Sequence, residues 1–314
     1  MLIELEGHPI EIARPEKWVW YDERYTIMDL LRYYVAVSPW LLPHLQRRPV
    51  VYEIYPGTVN GPHSFEQDPP AGTPRWIKRA KIPGHERLVT YVIVDSAASL
   101  AYLVSLFMVT LHVWESTTGA IEKPDFLLFD LDPGDECTLA RLARTALYTR
   151  NLLEEIGLRE PLVKTSGARG LHVVVPVEPE HEYKAVRSLT QRVAQELARR
   201  HPGELTAERD PRRRNAQAVH VDWGQLGRGM TVAAPYAARA CPRAPVSMPL
   251  AWEEVERFAR SRSKGAPIQA FARYTIANAV DRLKERGDIW SAWRPQPLLT
   301  AHTQLRHAAS RRGP

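Results

Sequence analysis

FLLFDLDPG, residues 126–134, is an apolar run that ends in two acids and a turn. The near-continuous apolar character predicts a strand over residues 126–131 that is buried on both faces. Side chains alternate along a strand with a period of two, so Asp130 and Asp132 project from the same face. Two such carboxylates repel one another, and hard oxygen ligands on one edge are typical of a Mg²⁺ or Mn²⁺ site. The alternative is that Asp132-Pro133-Gly134 is only a turn that begins with Asp.

Alternating helical and extended patterns surround this strand. Apolar residues at helical spacing predict helices over residues 26–37, 96–108, 138–156 and 183–200. Strand patterns cover residues 50–55, 88–94, 110–114, 162–165, 171–177 and 219–221. The order is not a strict βαβ alternation, so we predict an α/β (α+β) fold in which two mixed-sheet modules share a central cleft.

Composition limits the classes to which the protein can belong. The chain has 314 residues, 44% of them hydrophobic, and a formal net charge of +6. That length and apolar content support a folded enzyme rather than a disordered chain. Two cysteines exclude a disulfide scaffold and a Cys-rich zinc site. We expect no signal peptide and no membrane span, and therefore a cytoplasmic, nucleoid-associated protein. After about residue 294 the sequence predicts a frayed basic tail, residues 295–314.

A glycine-containing loop, Thr165-Ser166-Gly167-Ala168-Arg169-Gly170-Leu171-His172, separates two predicted strands. Its two glycines permit a close backbone approach, so exposed N–H groups can cup an anion. Ser166 offers a hydroxyl, Arg169 a forked cation and His172 a further donor, and together these groups would form a phosphate cradle. The alternative is an ordinary hairpin with a solvated Arg.

Two further strands carry polar residues. Val219-His220-Val221-Asp222 places His220 and Asp222 on one face, and Arg212, Arg213 and Arg214 precede it. A single Asp at a strand end also serves to cap a turn, and an Arg run also serves as a solvated face. His112, in the strand Leu111–Trp114, is equally consistent with a core histidine.

The order of these motifs is more specific than any one of them. Asp-x-Asp on a strand, then S-G-x-R-G-x-H, then an apolar residue followed by Asp resembles the three motifs of the archaeo-eukaryotic primase superfamily. The closer resemblance is to the polymerase domain of bacterial non-homologous end-joining ligase D, over residues 16–294. Flanking stretches at residues 42–49, 125–134, 165–174 and 231–239 extend the resemblance.

This resemblance implies roles for particular residues. The three acids Asp130, Asp132 and Asp222 would hold two divalent cations, Mn²⁺ or Mg²⁺, with Mn²⁺ favoured. The nucleotide would be bound by Ser166, Arg169 and His172 at the triphosphate and by His112, Gln225 and Arg239 around it. DNA contacts would come from Lys17, Phe65, Arg212, Arg213 and Arg214.

Departures from the family lie on the DNA side. End-joining polymerases carry a basic residue before the first helix that helps to bind a 5′-phosphate, and Ile27 stands there, although Lys17 matches a second phosphate-binding lysine. The family's paired stacking aromatics are Ser64-Phe65 here, a basic pair is Glu53-Ile54, and Cys241 stands where some relatives have an Arg. No K-x-D-G motif is present, so this sequence is not itself a ligase.

The resulting hypothesis is a primase-polymerase catalytic domain, residues 1–294. It would add nucleotides, preferably ribonucleotides, to primer 3′ ends during DNA end joining or gap filling. DNA and NTP or dNTP are the expected partners, together with an end-binding Ku-like protein and a separate DNA ligase. Alternatives are a primase-polymerase that acts only in gap repair or lesion tolerance, a non-catalytic DNA-binding repair factor and a metal-dependent phosphohydrolase.

Overall fold

The computed structural model describes residues 1–84, 86–261, 271 and 273–298. Within them lie sixteen strands and six α-helices. The strands are β1 (Leu2–Leu5), β2 (His8–Glu11), β3 (Trp18–Trp20), β4 (Tyr25–Thr26), β5 (Pro49–Ile54), β6 (Ser64–Glu66), β7 (Arg79–Pro83), β8 (Leu88–Ile93), β9 (Met108–Trp114), β10 (Phe126–Pro133), β11 (Leu162–Thr165), β12 (Leu171–Pro176), β13 (Leu205–Thr206), β14 (Val219–Asp222), β15 (Thr231–Ala233) and β16 (Pro249–Leu250). The helices are α1 (Ile27–Leu45), α2 (Ala97–Ser105), α3 (Leu139–Glu155), α4 (Tyr183–Arg200), α5 (Trp252–Ala259) and α6 (Ala279–Arg286).

The chain divides into two compact units, and both are discontinuous in sequence. Unit 1 takes Met1–Gly119, Thr231–Met248 and Arg273–Asp288, and the described residues of unit 2 fall within Ala120–Met230, Pro249–Ala272 and Ile289–Pro314. Each unit contains one six-stranded sheet. The predicted α/β fold with a sheet in each of two modules is therefore confirmed. The sheet of unit 2 is mixed as predicted, whereas every described pair in the sheet of unit 1 is antiparallel, and the shared cleft stays a prediction.

The sheet of unit 2 has the order β13-β14-β10-β12-β11-β16. Its strands pair antiparallel except for the parallel pair β13 and β14. Leu127, Phe129 and Leu131 of β10 are fully buried on one face, and Leu128 is buried on the other. Helices α3 and α4 both contact β10. The acid-bearing strand is thus an interior strand of the sheet, as its apolar sequence predicts.

The sheet of unit 1 has the order β15-β9-β5-β8-β7, and β6 pairs with residues 52–54 of β5. Helices α1 and α2 pack against one another, and α2 also contacts β9. Ser96 is the N-cap of α2, because its hydroxyl accepts a hydrogen bond from the backbone N–H of Ser99.

Helix α1 is longer than the sequence predicts. The predicted helix ends at residue 37, before Pro39, which lacks the N–H that would bond to the carbonyl of Val35. The helix continues to Leu45 through Pro39 and Pro43. The Ser38 hydroxyl donates a hydrogen bond of 2.8 Å to the Val35 carbonyl, which replaces the missing donor. A side chain next to the proline thus satisfies the acceptor that the proline leaves open.

Residues 295–298, predicted to begin the frayed tail, contact the rest of unit 2. Gln296 exchanges two hydrogen bonds with the backbone of Arg159, and its carbonyl accepts one from the N–H of Glu178. Leu298 is buried. Residues 295–298 are therefore bonded to unit 2 rather than frayed, and residues 299–314 lie outside the described part of the chain. In that part, no helix has the length and apolar character needed to cross a bilayer.

Candidate active site

The three predicted acids meet on two neighbouring strands. Asp130 and Asp132 lie on β10 and Asp222 ends β14, with Asp130 directly opposite Asp222 in the antiparallel register. Opposed residues of an antiparallel pair project from the same face, so all three carboxylates share it. Backbone pairing, rather than a loop, brings the acids together.

Repulsion within this cluster is visible at Asp132. Desolvation, followed by the charges of Asp130 and Asp222, raises the pKa of Asp132 to about 7. Arg214 and Arg169 act in the opposite direction and offset only part of this rise. The cluster therefore carries excess negative charge that a bound divalent cation would neutralise.

Asp132→Asn is expected to stabilise the metal-free protein at pH 8 by about 1 kcal/mol, after allowance for solvent screening. A carboxyl whose pKa is higher in the folded state than in the unfolded state contributes its full stabilisation at a pH below the unfolded-state pKa. That contribution is lost as the pH rises through the folded-state pKa. The gain should therefore shrink as the pH falls from about 7 towards 4. Thermal unfolding across this pH range measures it, and Mn²⁺ should raise the melting temperature of the wild type more than that of the variant. Asp22→Asn, at an exposed turn acid, is the matched control, and an equal gain in that variant would contradict the prediction.

His220 faces the same cluster. It lies directly opposite Asp132, and a ring nitrogen of His220 and carboxylate oxygens of Asp132 and Asp222 all lie within 4.8 Å of one another. This spacing of oxygen and nitrogen donors suits a single divalent ion. The residues present thus fit a divalent cation at this end of β10.

His172 approaches Asp130 from the other neighbouring strand. It lies opposite Asp130 on β12, and its Nε2 is 3.3 Å from Asp130 Oδ1. Lys164 Nζ lies 2.7 Å from His172 Nδ1. An ammonium group at Lys164 would donate to Nδ1, which leaves Nε2 to carry the proton that faces Asp130. Lys164 is buried and was missed by sequence reasoning; the available signal was a lysine within the apolar strand LVKT.

The loop between β11 and β12 forms the predicted hairpin with an unexpected internal structure. We expected its backbone N–H groups to be open to an anion. Instead, Ser166 Oγ accepts hydrogen bonds from the N–H groups of Ala168 and Gly170, at 3.1 and 3.0 Å. The Ser166 hydroxyl proton can still be donated outward.

Arg169 ties this loop to the segment that follows β10. Its guanidinium donates to Asp135 Oδ1 at 2.7 Å and to the carbonyl of Gly134 at 3.2 Å, and 46% of the side chain is exposed. A Cβ at Gly170 would lie 2.6 Å from the carbonyl oxygen of Leu131. The loop thus lies directly against the acid-bearing end of β10, with its cation at the rim.

Asp222 is held by the turn that follows it. Its carboxylate accepts hydrogen bonds from the Gly224 N–H at 2.6 Å and from Gln225 Nε2 at 3.2 Å. A Cβ at Gly224 would lie 2.9 Å from Asp222 Oδ1, so the close approach needs glycine. Gln225, predicted to bind nucleotide, is placed where it also orients this acid.

The predicted run of three arginines does not act as a uniform face. Arg212 and Arg213 are exposed, and each pairs with an acid of its own loop, Asp210 or Glu208. Arg214 instead donates to two backbone carbonyls of that loop. The positive charge of Arg214 also offsets part of the rise in the pKa of Asp132, so Arg214 lies close enough to act on the acid cluster.

Unit 1 contains the other predicted nucleotide residues, grouped around a buried carboxylate. Glu53 accepts a hydrogen bond from the Tyr55 hydroxyl, and His112 Nε2 lies 3.6 Å from its Oε2. Burial opposes ionisation of Glu53, but the adjacent His112, the hydrogen bond from Tyr55 and the charge of Arg239 lower its pKa to about 2. His112 is therefore a buried residue with an acidic partner, as the core alternative predicted, and Arg239 lies close enough to act on the same carboxylate.

Phe65 is exposed and does not stand alone. Its ring lies 5.5 Å from the His112 ring and 5.9 Å from the His63 ring, which stacks on Tyr55. His63 thus provides a second ring beside Phe65, whereas the pair Ser64-Phe65 contains only one aromatic residue.

Lys17 is bonded within unit 1. Its Nζ donates to the carbonyls of Tyr55 and Gly57, at 3.2 and 2.6 Å, and lies 4.4 Å from the centre of the Phe107 ring. Ile27, at the start of α1, is buried. Ile27, which stands where end-joining polymerases carry a basic residue, therefore belongs to the core.

Comparison with known proteins agrees with this geometry. The family described as LigD, primase-polymerase domain matches residues 26–290. The multifunctional non-homologous end-joining DNA repair protein LigD of Mycobacterium tuberculosis is 34% identical over 239 residues, which is 74% of this chain and 31% of that protein. The bifunctional LigD of Bacillus subtilis is 26% identical over 305 residues, 95% of this chain and 47% of that protein. The chain thus spans between about a third and a half of these relatives.

A solved structure is similar over nearly the whole chain. The polymerase domain of Mycobacterium tuberculosis ligase D, solved in complex with DNA, superimposes with a TM-score of 0.80 at 28% identity. The match covers 90% of this chain and 97% of that domain. Fold and acid cluster together define a nucleotidyltransferase of the primase-polymerase class. The chain belongs to the family of LigD primase-polymerase domains.

Proposed function

We propose that this chain adds nucleotides to primer 3′ ends at gaps or breaks in DNA, with Asp130, Asp132 and Asp222 as the metal-binding catalytic residues. One observation carries the proposal. The register of β10 with β14 and β12 brings the three acids and His172 to one end of a single strand, where the loop bearing Arg169 also lies. A phosphohydrolase shares the carboxylates but does not need this set of triphosphate donors.

Different residues of the chain would hold the divalent ions and bind the nucleotide. Two divalent ions, Mn²⁺ or Mg²⁺, would activate the primer 3′-hydroxyl and neutralise the leaving pyrophosphate. Arg169, the Ser166 hydroxyl and His172 would bind the triphosphate, where negative charge grows during transfer. The Lys164 contact would keep the His172 proton on Nε2, towards the site. Gln225 would orient Asp222, and His112 and Arg239 would complete the nucleotide pocket. We also propose that the protein accepts ribonucleotides as substrates.

The DNA contacts follow from the family and from exposed rings and cations. The related polymerase domain of ligase D was solved with DNA, and we extend DNA binding to this chain. Phe65 and His63 would stack on an unpaired template base, and the exposed Arg212 and Arg213 would neutralise phosphates. The relatives' names support a role in end joining. We further propose that residues 1–294 form the catalytic domain and act at the nucleoid with a Ku-like protein and a separate DNA ligase.

Extension of a gapped duplex tests both the activity and its role. We expect a 5′-phosphate at the downstream edge of the gap to improve extension by less than about tenfold, because a lost charged contact costs about 1.5–3 kcal/mol. Lys17 donates to two carbonyls and Ile27 faces the core, so neither forms an open cationic pocket. Paired titrations on duplexes that differ only in this phosphate, with rNTP and dNTP in parallel, measure the preference.

The contrary result is equally informative. A much larger preference that disappears in Lys17→Ala, but not in the exposed control Lys184→Ala, would show that other residues rebuild the 5′-phosphate pocket. The protein would then be an end-joining polymerase in the strict sense. Retention of a small preference favours gap filling without end recognition.

A further inference from the structure

His220 is a buried polar side chain at the edge of the acid cluster. It lies on β14 between Thr206 of β13 and Asp132 of β10. Only 4% of the residue is exposed, and within the described part of the chain neither ring nitrogen has a hydrogen-bond partner. Burial of a polar group without a partner costs free energy, and such a group in a folded protein calls for an explanation.

The surroundings of His220 point to a ligand rather than to packing. A ring nitrogen and carboxylate oxygens of Asp132 and Asp222 lie within 4.8 Å of one another. The lone pair of a neutral imidazole nitrogen binds divalent transition metals. An ion between these three residues would satisfy the imidazole and both carboxylates at once. Asp130, the first acid of the motif, is outside this three-residue set and faces His172 instead.

We propose that His220 is a nitrogen ligand of the ion held by Asp132 and Asp222, and that it strengthens the binding of Mn²⁺ more than that of Mg²⁺. Mg²⁺ takes oxygen ligands and retains its waters, whereas imidazole binds later divalent metals more strongly. The family motif supplies only carboxylates, so a nitrogen ligand two residues before the last acid would be a feature of this chain. The inference rests on the proposed function only for the use to which the ion is put.

Direct metal binding tests this inference without nucleotide turnover. Free Mn²⁺ is measured by electron paramagnetic resonance during titration of the wild type, His220→Leu and His220→Asn, with Mg²⁺ as competitor. His220→Leu should weaken Mn²⁺ binding by about tenfold or more, the size of effect seen when groups around a metal are removed. Mg²⁺ binding should change by less than about threefold, since Mg²⁺ gains little from imidazole. His181→Leu, on the loop between β12 and α4, is the matched control and should bind both ions as the wild type does.

A spectroscopic readout identifies the ligand atom. Pulsed electron paramagnetic resonance of bound Mn²⁺ should show coupling to a ¹⁴N nucleus in the wild type and in His181→Leu, and lose it in His220→Leu. Coupling that persists in folded His220→Leu, with unchanged Mn²⁺ affinity, would overturn the inference and point to His172 as the nitrogen donor. Circular dichroism establishes folding. If His220→Leu does not fold, His220→Asn decides, since it keeps a polar side chain and an oxygen ligand but lacks the ring nitrogen.

The two proposals fail separately. A wild-type protein that binds Mn²⁺ through a nitrogen ligand but adds no nucleotide would refute the proposed function and leave the His220 ligand intact. Nucleotide addition that needs Asp222 but shows no His220 coupling would do the opposite.

Discussion

Asp130→Ala or Asp222→Ala should lower the rate of nucleotide addition by more than about a hundredfold, because catalytic residues that act as one unit fail together. The double variant should be little worse than either single one for the same reason. Duplex binding should stay nearly unchanged, because these acids serve cations and not the DNA backbone. Single-turnover primer extension and fluorescence anisotropy measure the two properties on the same preparations.

The control for this loss is Asp22→Asn, which removes an exposed acid from a turn of unit 1. It should extend primers at the wild-type rate. If Asp130→Ala or Asp222→Ala kept more than about a hundredth of the rate, well short of the losses typical of such units, the catalytic assignment would be wrong.

Arg169→Ala should lower kcat/KM for the nucleotide by about a hundredfold or more, the size of effect known for donors that face developing charge. The apparent KM should rise and kcat should fall, since the triphosphate gains charge in the transition state. The salt dependence of DNA binding should not change, because the side chain lies at the acid-bearing end of β10. Steady-state extension at varied nucleotide concentration provides both constants.

A structural role of Arg169 can be separated from a catalytic one. Asp135→Asn weakens the same ion pair while it keeps the guanidinium. If the arginine only held the loop against β10, both variants would lose activity equally. We expect Asp135→Asn to retain most activity and Arg169→Lys to recover part of what Arg169→Ala loses, because Lys supplies the charge without the fork.

The acid cluster could be predicted because strand periodicity is a local property. The spacing of Asp130 and Asp132 fixes their common face wherever the strand lies. The order of motifs then identified the family, and the family supplied Asp222. The register that sets Asp222 opposite Asp130 is a long-range pairing, and the residues between the two strands contain no pattern that specifies it.

What the sequence did not indicate depends on side-chain contacts, some of them local and some between neighbouring strands. The end of α1 was placed too early because the Ser38 bond that compensates for Pro39 is a side-chain contact. Acids stand near Arg212 and Arg213 in the sequence. The ion pairs between these acids and the two arginines form only because the chain turns between them. Lys164 beside His172, and His220 beside Asp132, are cross-strand neighbours that appear only once the register is known.

The discontinuity of unit 1 has a consequence for synthesis of the protein on the ribosome. Residues 1–119 emerge first, but β15, which borders β9, and α6, which contacts α1, come from residues 231–233 and 279–286. At ordinary elongation rates the intervening segment takes on the order of ten seconds to appear. During that time β9 (Met108–Trp114) can pair with β5 on one side, but its other edge, which later pairs with β15, stays open and is a template for wrong pairing. Unit 1 can therefore complete its native fold only after residues 231–286 have emerged, and a fragment that stops before Thr231 would be prone to aggregation.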